Sequence, residues 1–177
     1  MEDRQVALIR GINVGKAKRV AMADLRALMG RLGYRDCRTL LNSGNVVFSA
    51  GSESPSQSAD RIEKAMDTEL GVSAPVIALS AAEFSTVVSE CPLIESAEDL
   101  SRLLVSFLMD PEARQHLVPL THEDWGSESF ALGTRAAYLW CPDGVLQSQL
   151  PAAVERALGK AVTTRNWKTV KKIEAIL

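Results

Sequence analysis

Two spacings of apolar residues alternate along the first half of the chain. Short apolar runs predict buried strands, and segments with apolar residues about every three or four positions predict amphipathic helices. The predicted elements are a strand over Val6–Ile12, a helix over Met22–Leu32 ended by Gly33, strands over Arg38–Leu41 and Val46–Phe48, a helix over Ile62–Leu70 and a strand over Pro75–Leu79. Residues 51–58, rich in serine, predict a loop before the second helix. This βαββαβ order is typical of an antiparallel sheet with both helices on one face.

The same order returns in the second half. The predicted elements are a strand over Leu103–Met109, a short helix from Pro111 capped by Asp110, strands over Ser129–Leu132 and Ala137–Cys141, a helix carrying Leu150, Val154 and Leu158, and a strand from Val162 that becomes a helix at about Asn166. We therefore predict an α+β fold of two ferredoxin-like halves, residues 1–80 and 100–177, with an added C-terminal helix. Residues 81–99 form a connecting helix and an acidic loop. The halves share their order but little identity, which indicates a structural duplication.

Composition narrows the class of protein. Apolar residues make up 46% and charged residues 24% of the chain, as in soluble globular proteins. No apolar run approaches the roughly 18 residues that span a bilayer, and the N-terminus does not resemble a signal peptide. The three cysteines are odd in number and form no C-x-x-C pair, which favours reduced thiols in the cytoplasm. We expect no membrane partner and no cofactor. We also expect no metal site, since His116 and His122 lack neighbours at metal-ligand spacing.

Charge is distributed unevenly along the chain. Residues 1–50 carry nine Lys/Arg against four Asp/Glu, and residues 163–177 carry four against one. The stretch between them carries seven against seventeen. If folding brings the two basic ends together, they form a local positive patch that attracts an anion. The alternative is that these charges only solvate separate helices.

A glycine-bearing loop follows the first predicted strand. It reads Arg10-Gly11-Ile12-Asn13-Val14-Gly15-Lys16, and backbone amides freed by glycines next to a helix start can cradle a phosphate. The loop does not match the nucleotide-binding P-loop motif, which has four residues between its glycines and a Ser or Thr after the lysine. Here three residues separate the glycines, and Ala17 follows the lysine. Anion or carbonyl binding and a plain tight turn both remain open.

Two further polar motifs are candidates for a site. Asn42-Ser43-Gly44-Asn45 occupies a predicted hairpin tip, where turn chemistry alone explains its residues. Thr163-Thr164-Arg165-Asn166-Trp167-Lys168-Thr169 opens the last helix. A helix start beside an arginine suits a phosphate or a carboxylate.

We interpret the chain as a binding protein, non-catalytic or without an assigned reaction, whose three motifs converge on one polar, positive cleft between the halves. The candidate ligand-binding residues are Arg10, Asn13, Lys16, Asn42, Ser43, Asn45, Arg165, Asn166 and Lys168. A phosphate-bearing small molecule or a nucleic acid is the expected partner. One alternative is a hydrolase or transferase with Ser43 or Thr164 as acceptor, for which no base is evident. The other is an interaction module whose motifs only form structural hydrogen bonds.

At these motifs the chain resembles the bacterial family called domain of unknown function 1697. The resemblance is carried by ALIRGINVGKAKRVAMADLRALMGRLGY, RTLLNSGNVVF and TTRNWKTVKKI, and more weakly by AAYLWCPDG. It implies small cytoplasmic proteins of two ferredoxin-like halves, with no established activity, cofactor or substrate. Lys16 stands where the family usually has a second glycine, and Leu41 and Asn42 stand where it tends to have an aromatic-to-Gln stretch.

Overall fold

The first half of the protein is a βαββαβ unit. A computed structural model describes residues 3–177. The elements of this half are β1 Arg4–Ile9, α1 Met22–Arg31, β2 Arg35–Leu40, β3 Asn45–Ser49, α2 Pro55–Leu70 and β4 Val76–Ser80. They are followed by α3, Ala81–Glu90.

The second half repeats this order. Its elements are β5 Leu103–Leu108, a 3-10 helical segment Pro111–His122, β6 Ser129–Leu132, β7 Ala136–Trp140, a short 3-10 turn Val145–Gln147, α4 Leu150–Leu158 and β8 Val162–Asn166. The chain then forms α5, Trp167–Ile176. The predicted short helix after β5 is of the 3-10 type and has Pro119 inside it. Proline provides no backbone N–H, so it interrupts the helical hydrogen bonds at that position.

Both sheets have the ferredoxin-like strand order. The orders are β2-β3-β1-β4 and β6-β7-β5-β8. In each sheet the first strand lies in the centre and pairs antiparallel with the third and the fourth. Ala7 thus pairs with Val46 and with Ala78. Two ferredoxin-like antiparallel sheets with an added C-terminal helix confirm the predicted α+β class.

Each half has its own apolar core between sheet and helices. In the first, Ile9 and Phe48 from the sheet pack with Leu25, Met29 and Ile62 from α1 and α2. In the second, the core includes Leu104, Leu139, Val154 and Val162. The alternation of strand residues explains these faces, since Ala7 and Ile9 point to the same side.

The start of α2 differs from the prediction. The Ser-rich loop predicted over 51–58 ends at Ser54, and the helix begins at Pro55. Ser54 Oγ accepts a hydrogen bond from the Gln57 backbone N–H at 3.3 Å, and Gln57 Oε1 accepts one from the Ser54 N–H at 2.9 Å. This capping box, with proline in the first helical position, nucleates a helix where serine content alone indicated a loop.

The chain divides into two compact units. One runs from the start of the described residues to Phe84 and takes in Ile173–Leu177, and the other is Ser85–Lys172. In the first unit, the Arg4 guanidinium donates to the carbonyls of Ile176 and Leu177 at the end of α5. The domain boundaries 1–80, 81–99 and 100–177 stay a prediction. Within residues 3–177, none of the helices combines the length and apolar character that crossing a bilayer requires.

Candidate functional site

The loop between β1 and α1 is built around left-handed backbone conformations. Gly11, Asn13, Gly15 and Lys18 have φ values of 71°, 56°, 64° and 52°. Glycine and asparagine adopt this region readily, whereas lysine does so at some cost. The turns bring the Asn13 N–H to the Lys18 carbonyl at 3.0 Å. The loop therefore folds back on itself before the helix begins.

The side chain of Asn13 closes this loop. Its Nδ2 donates to the Val20 carbonyl at 2.8 Å and to the Asn42 carbonyl at 2.7 Å. Its Oδ1 accepts from the Val20 N–H at 2.8 Å. One amide thus joins the two ends of the loop and ties them to the β2–β3 hairpin. The donors and the acceptor that we predicted as ligand contacts are used to hold the backbone.

The hairpin tip packs tightly on β1 at Gly44. A Cβ at this position would lie 2.9 Å from Ile9 Cβ and 2.9 Å from Ile12 Cδ1, and the residue has φ of +86°. The Gly44 carbonyl accepts from the Ile9 N–H at 2.8 Å. Close approach and positive φ together require glycine here.

Asn45 and Ser43 stabilise the same hairpin. Asn45 is fully buried and its Nδ2 donates to the Leu40 carbonyl at 2.8 Å and to Ser43 Oγ at 3.0 Å. Ser43 is exposed. These bonds favour a structural role for Asn45, as expected if the motif mainly forms a turn.

A pocket lies where the loop, the hairpin tip and the start of α1 meet. Its volume is about 350 Å³ and its wall is formed by Asn13, Arg19, Val20, Ala21, Met22 and Asn42. Ala21 is the N-cap of α1 and has no side chain that could accept a hydrogen bond from the helix. The amides of the first turn of α1 are therefore left without a side-chain cap beside the pocket.

The segments that form this pocket are rich in cations, of which Arg19 lines it. Residues 10–40 contain eight Lys/Arg and two Asp/Glu. Lys16, Lys18 and Arg19 are exposed on the loop. Arg26, one turn along α1 from Met22, donates from Nη1 to Thr39 Oγ1 at 2.6 Å. The loop and the helix start thus form a positive, amide-rich surface.

The C-terminal candidates lie in the second unit. Arg165 is 9% exposed, and its Nη1 donates to Thr163 Oγ1 at 2.8 Å and to the Thr164 carbonyl at 3.0 Å. Burial lowers the pKa of Arg165 to about 10, which still leaves it charged at neutral pH. Thr164, an alternative acceptor, is exposed and has its Oγ1 2.8 Å from Ser106 Oγ.

Asn166 and Lys168 have structural partners of their own. Asn166 caps α5, because its Oδ1 accepts from the Thr169 N–H at 2.9 Å. Lys168 Nζ lies 3.9 Å from Asp99 Oδ1. Hydrogen bonds from Ser101, assisted by the charge of Lys168, lower the pKa of Asp99.

Within the first unit, Asn13 and Asn42 are brought together at the pocket. Ser43 and Asn45 bond to each other in the same hairpin, Lys16 extends from the loop, and Arg10 is half-buried with its N–H on the Pro75 carbonyl at 2.9 Å. Convergence of this group with Arg165, Asn166 and Lys168 on one cleft stays a prediction. Sequence reasoning passed over Arg19, Ala21 and Met22 as wall residues. The signal was available, since Met22 opens a helix without a Ser, Thr, Asp or Asn before it.

The possible metal ligands of the described residues are spread through the fold. Across residues 3–177, no three His, Cys, Asp or Glu side chains are grouped so that they could hold a metal ion. His116 and His122, on the 3-10 segment of the second unit, are exposed.

Comparison with known proteins places the chain in a family. The conserved bacterial protein SP0830 from Streptococcus pneumoniae has a similar structure, with a TM-score of 0.80 and 23% identity over 98% of this chain and 97% of that one. At this identity the likeness concerns the fold alone. No curated protein matches the sequence. The profile of the family described as "Protein of unknown function (DUF1697)" matches residues 2–138. The chain belongs to this family.

Proposed function

We propose that the protein binds a phosphate-bearing ligand, with the phosphate in the pocket at the start of α1. The observation that carries the proposal is that Arg19 and the uncapped first turn of α1 line the same pocket. Backbone amides at a helix start and the positive end of its dipole attract anions. An arginine adds a charged donor that can form two parallel bonds to a phosphate.

The size and rigidity of the pocket support this proposal. A volume of about 350 Å³ is at the lower end of the range for small-molecule sites, which begins near 300 Å³. It accommodates a phosphate with a small organic group. The three hydrogen bonds of Asn13 fix the wall before a ligand arrives, so little ordering cost falls on binding. Asp24, the acidic residue in the first turn of α1, is exposed and stands outside the wall residues.

A substitution at the N-cap provides the sharpest test. Ala21 has the extended backbone of an N-cap, with φ of −69° and ψ of 138°. We expect Ala21→Asp to place a carboxylate on the first-turn amides, to stabilise the fold by about 1 kcal/mol and to abolish phosphate binding. Inorganic phosphate and nucleoside monophosphates titrated by calorimetry give the affinity, and urea unfolding gives the stability.

Arginine variants provide the matched control. Arg19→Gln should weaken phosphate binding at least tenfold, because a charged donor is lost from the wall. Arg156→Gln, an exposed arginine of α4 in the other unit, should leave it unchanged. Phosphate affinity equal to wild type in both Ala21→Asp and Arg19→Gln would refute the proposal.

The second group of candidates enters as a further part of the proposal. Arg165, Asn166 and Lys168 would contribute donors to the same ligand if both groups face a common cleft. Lys168→Gln, at a side chain that is 60% exposed, would then weaken phosphate binding, whereas Lys160→Gln would not. Equal affinities in the two variants would restrict the site to the first unit.

The hydrogen bonds also favour a second candidate, an interaction module whose motifs are structural. The bonds of Asn45 to Leu40 and Ser43 lie within one hairpin. Under this alternative, Asn45→Ala lowers the free energy of unfolding by about 1–3 kcal/mol and no phosphate compound shifts the melting temperature of wild type. A phosphate-dependent shift that Arg19→Gln removes would decide against it.

We also infer a cytoplasmic location and an origin of the two halves by duplication. Cys37, Cys91 and Cys141 are free thiols, in keeping with a reducing compartment. The shared strand order of the sheets supports the duplication. Cell fractionation tests the first inference, and comparison of the two halves across many family sequences tests the second.

A further inference from the structure

The first unit carries more positive charge around the pocket than a single phosphate requires. We define the basic surface as Lys16, Lys18, Arg19 and Arg26, all of which are exposed. One of these, Arg19, lines the pocket. The other three lie outside its wall, so they are available to groups beyond the bound phosphate.

The basic surface is continuous with the pocket through short contacts. The Lys18 carbonyl accepts from the Asn13 N–H at 3.0 Å, and Asn13 Nδ2 reaches the Asn42 carbonyl at 2.7 Å. Three residues before Asn42, Thr39 Oγ1 accepts from Arg26 at 2.6 Å. Lys18 therefore lies on the loop that lines the pocket, and Arg26 lies on α1 and is bonded to β2, the strand that leads to the hairpin tip.

Two exposed apolar side chains lie on the same loop and hairpin. Val14 is 71% exposed and Leu41 is 49% exposed. Val14 follows Asn13 and Leu41 precedes Asn42 in the chain, and Asn13 and Asn42 are joined by a hydrogen bond. Leu41 has φ of 59°, a conformation that a branched side chain adopts only at a cost. Exposed aliphatic groups on segments that also carry cations suit a partner that offers both anionic and apolar surface.

We propose that the basic surface binds single-stranded nucleic acid. The cations and the pocket take successive backbone phosphates, and unpaired bases pack on Val14 and Leu41. A duplex presents the same phosphates but keeps the faces of its bases stacked inside, so it gains nothing from the two apolar residues. This inference rests on the proposed function, since one phosphate of the strand occupies the pocket.

Salt dependence and charge variants test the inference. Fluorescence anisotropy with a single-stranded oligonucleotide of about twenty nucleotides should give a slope of log K against log salt of roughly −0.7 per phosphate contacted, hence about −2 to −3 for four cations. The double variant Lys16→Gln/Lys18→Gln should lower the affinity at least tenfold and reduce the slope. Its loss of affinity for inorganic phosphate should be severalfold smaller than its loss of affinity for the oligonucleotide, because Arg19 and the first turn of α1 are unchanged. Lys160→Gln, an exposed lysine of the other unit, is the control.

Substitution of the two apolar residues distinguishes binding of a single strand from binding of other polyanions. Val14→Ser/Leu41→Ser should weaken oligonucleotide binding severalfold without changing the salt slope, whereas Leu146→Ser, at a side chain that is 97% exposed, should not. Duplex of the same length and vesicles of anionic lipid are the competing ligands. Equal affinity for duplex and single strand, or displacement of the oligonucleotide by vesicles at equal charge, would overturn the inference.

The outcomes also distinguish the inference from the proposed function. If inorganic phosphate binds and depends on Arg19, but the oligonucleotide binds no tighter than a nucleoside monophosphate, the inference fails and the proposed function stands. If the oligonucleotide binds but neither Ala21→Asp nor Arg19→Gln changes its affinity or that of phosphate, the proposed function fails, and the inference fails with it because no phosphate occupies the pocket.

Discussion

At the scale of single residues, Gly44 shows why a hairpin tip allows no side chain. Its Cβ would lie 2.9 Å from atoms of Ile9 and Ile12, at φ of +86°. We expect Gly44→Ala to lower the free energy of unfolding by about 2–4 kcal/mol, since overpacking adds to the backbone strain. Gly11→Ala is the control, because φ is +71° and no atom lies within 4 Å of a Cβ there. Its cost should be about 1–2 kcal/mol. Equal losses in urea unfolding would contradict the packing argument.

Asn13 is the second residue whose role is set by its contacts. Replacing it with glycine keeps the left-handed backbone accessible and removes three hydrogen bonds. We expect Asn13→Gly to cost about 2–3 kcal/mol, from bonds worth about 1 kcal/mol each, and to lose phosphate binding because the pocket wall opens. Urea unfolding and calorimetry measure the two effects. A variant with wild-type stability and no phosphate binding would instead make Asn13 a direct ligand.

At the scale of elements, the start of α5 allows two roles of Asn166 to be tested separately: capping the helix and binding a phosphate. Asn166 Oδ1 accepts from the Thr169 N–H at 2.9 Å, which an aspartate can reproduce. We expect Asn166→Ala to cost about 1 kcal/mol, whereas Asn166→Asp keeps the stability of wild type. If Asn166 also contacts a phosphate, as the sequence predicts, the added negative charge of Asn166→Asp weakens binding. Thermal unfolding of both variants measures the capping role, and phosphate titration measures the binding role. An aspartate variant as unstable as the alanine variant would exclude the cap.

The elements themselves were largely predictable from apolar spacing and from end signals. The helix over 22–31 and its glycine stop, and the strand-to-helix change at Asn166, follow the predicted pattern. The start of α2 was misplaced, because the polar residues Ser54 and Gln57 cap a helix instead of extending a loop. Such errors arise where the same residue types favour both caps and turns.

At the scale of the whole molecule, buried acids make the stability depend on alkaline pH. The Tyr138 hydroxyl donates to the Val87 carbonyl at 2.6 Å, and burial raises the pKa of Tyr138. Burial also raises the pKa of Cys91 and of Cys141. The folded protein therefore keeps protons that the unfolded chain releases above about pH 8.5 for Cys and pH 10 for Tyr. The stabilisation that these protonated side chains provide is complete below the pKa values of the unfolded chain and is lost as the pH rises above them.

We expect the free energy of unfolding to fall steadily from about pH 8.5 to pH 11, most steeply above pH 10. Tyr138→Phe should cost about 1 kcal/mol at neutral pH, for the lost hydrogen bond, and should flatten the fall above pH 10. Urea unfolding of both proteins across this range is the measurement. An equally steep fall in the phenylalanine variant would show that Tyr138 is not the group responsible.

The sequence by itself determined the order of the elements, the α+β class and the family, because apolar spacing and glycine stops are local signals. It also pointed to Asn13 and Asn42. Only the tertiary structure decided what those residues do. The Asn13–Asn42 bond joins positions 29 residues apart, and the fit of Gly44 depends on Ile9 at the end of β1 and on Ile12 in the loop that follows it. The pocket exists because a loop, a hairpin and a helix start meet, and contacts between distant segments are not encoded in the spacing of neighbours along the chain.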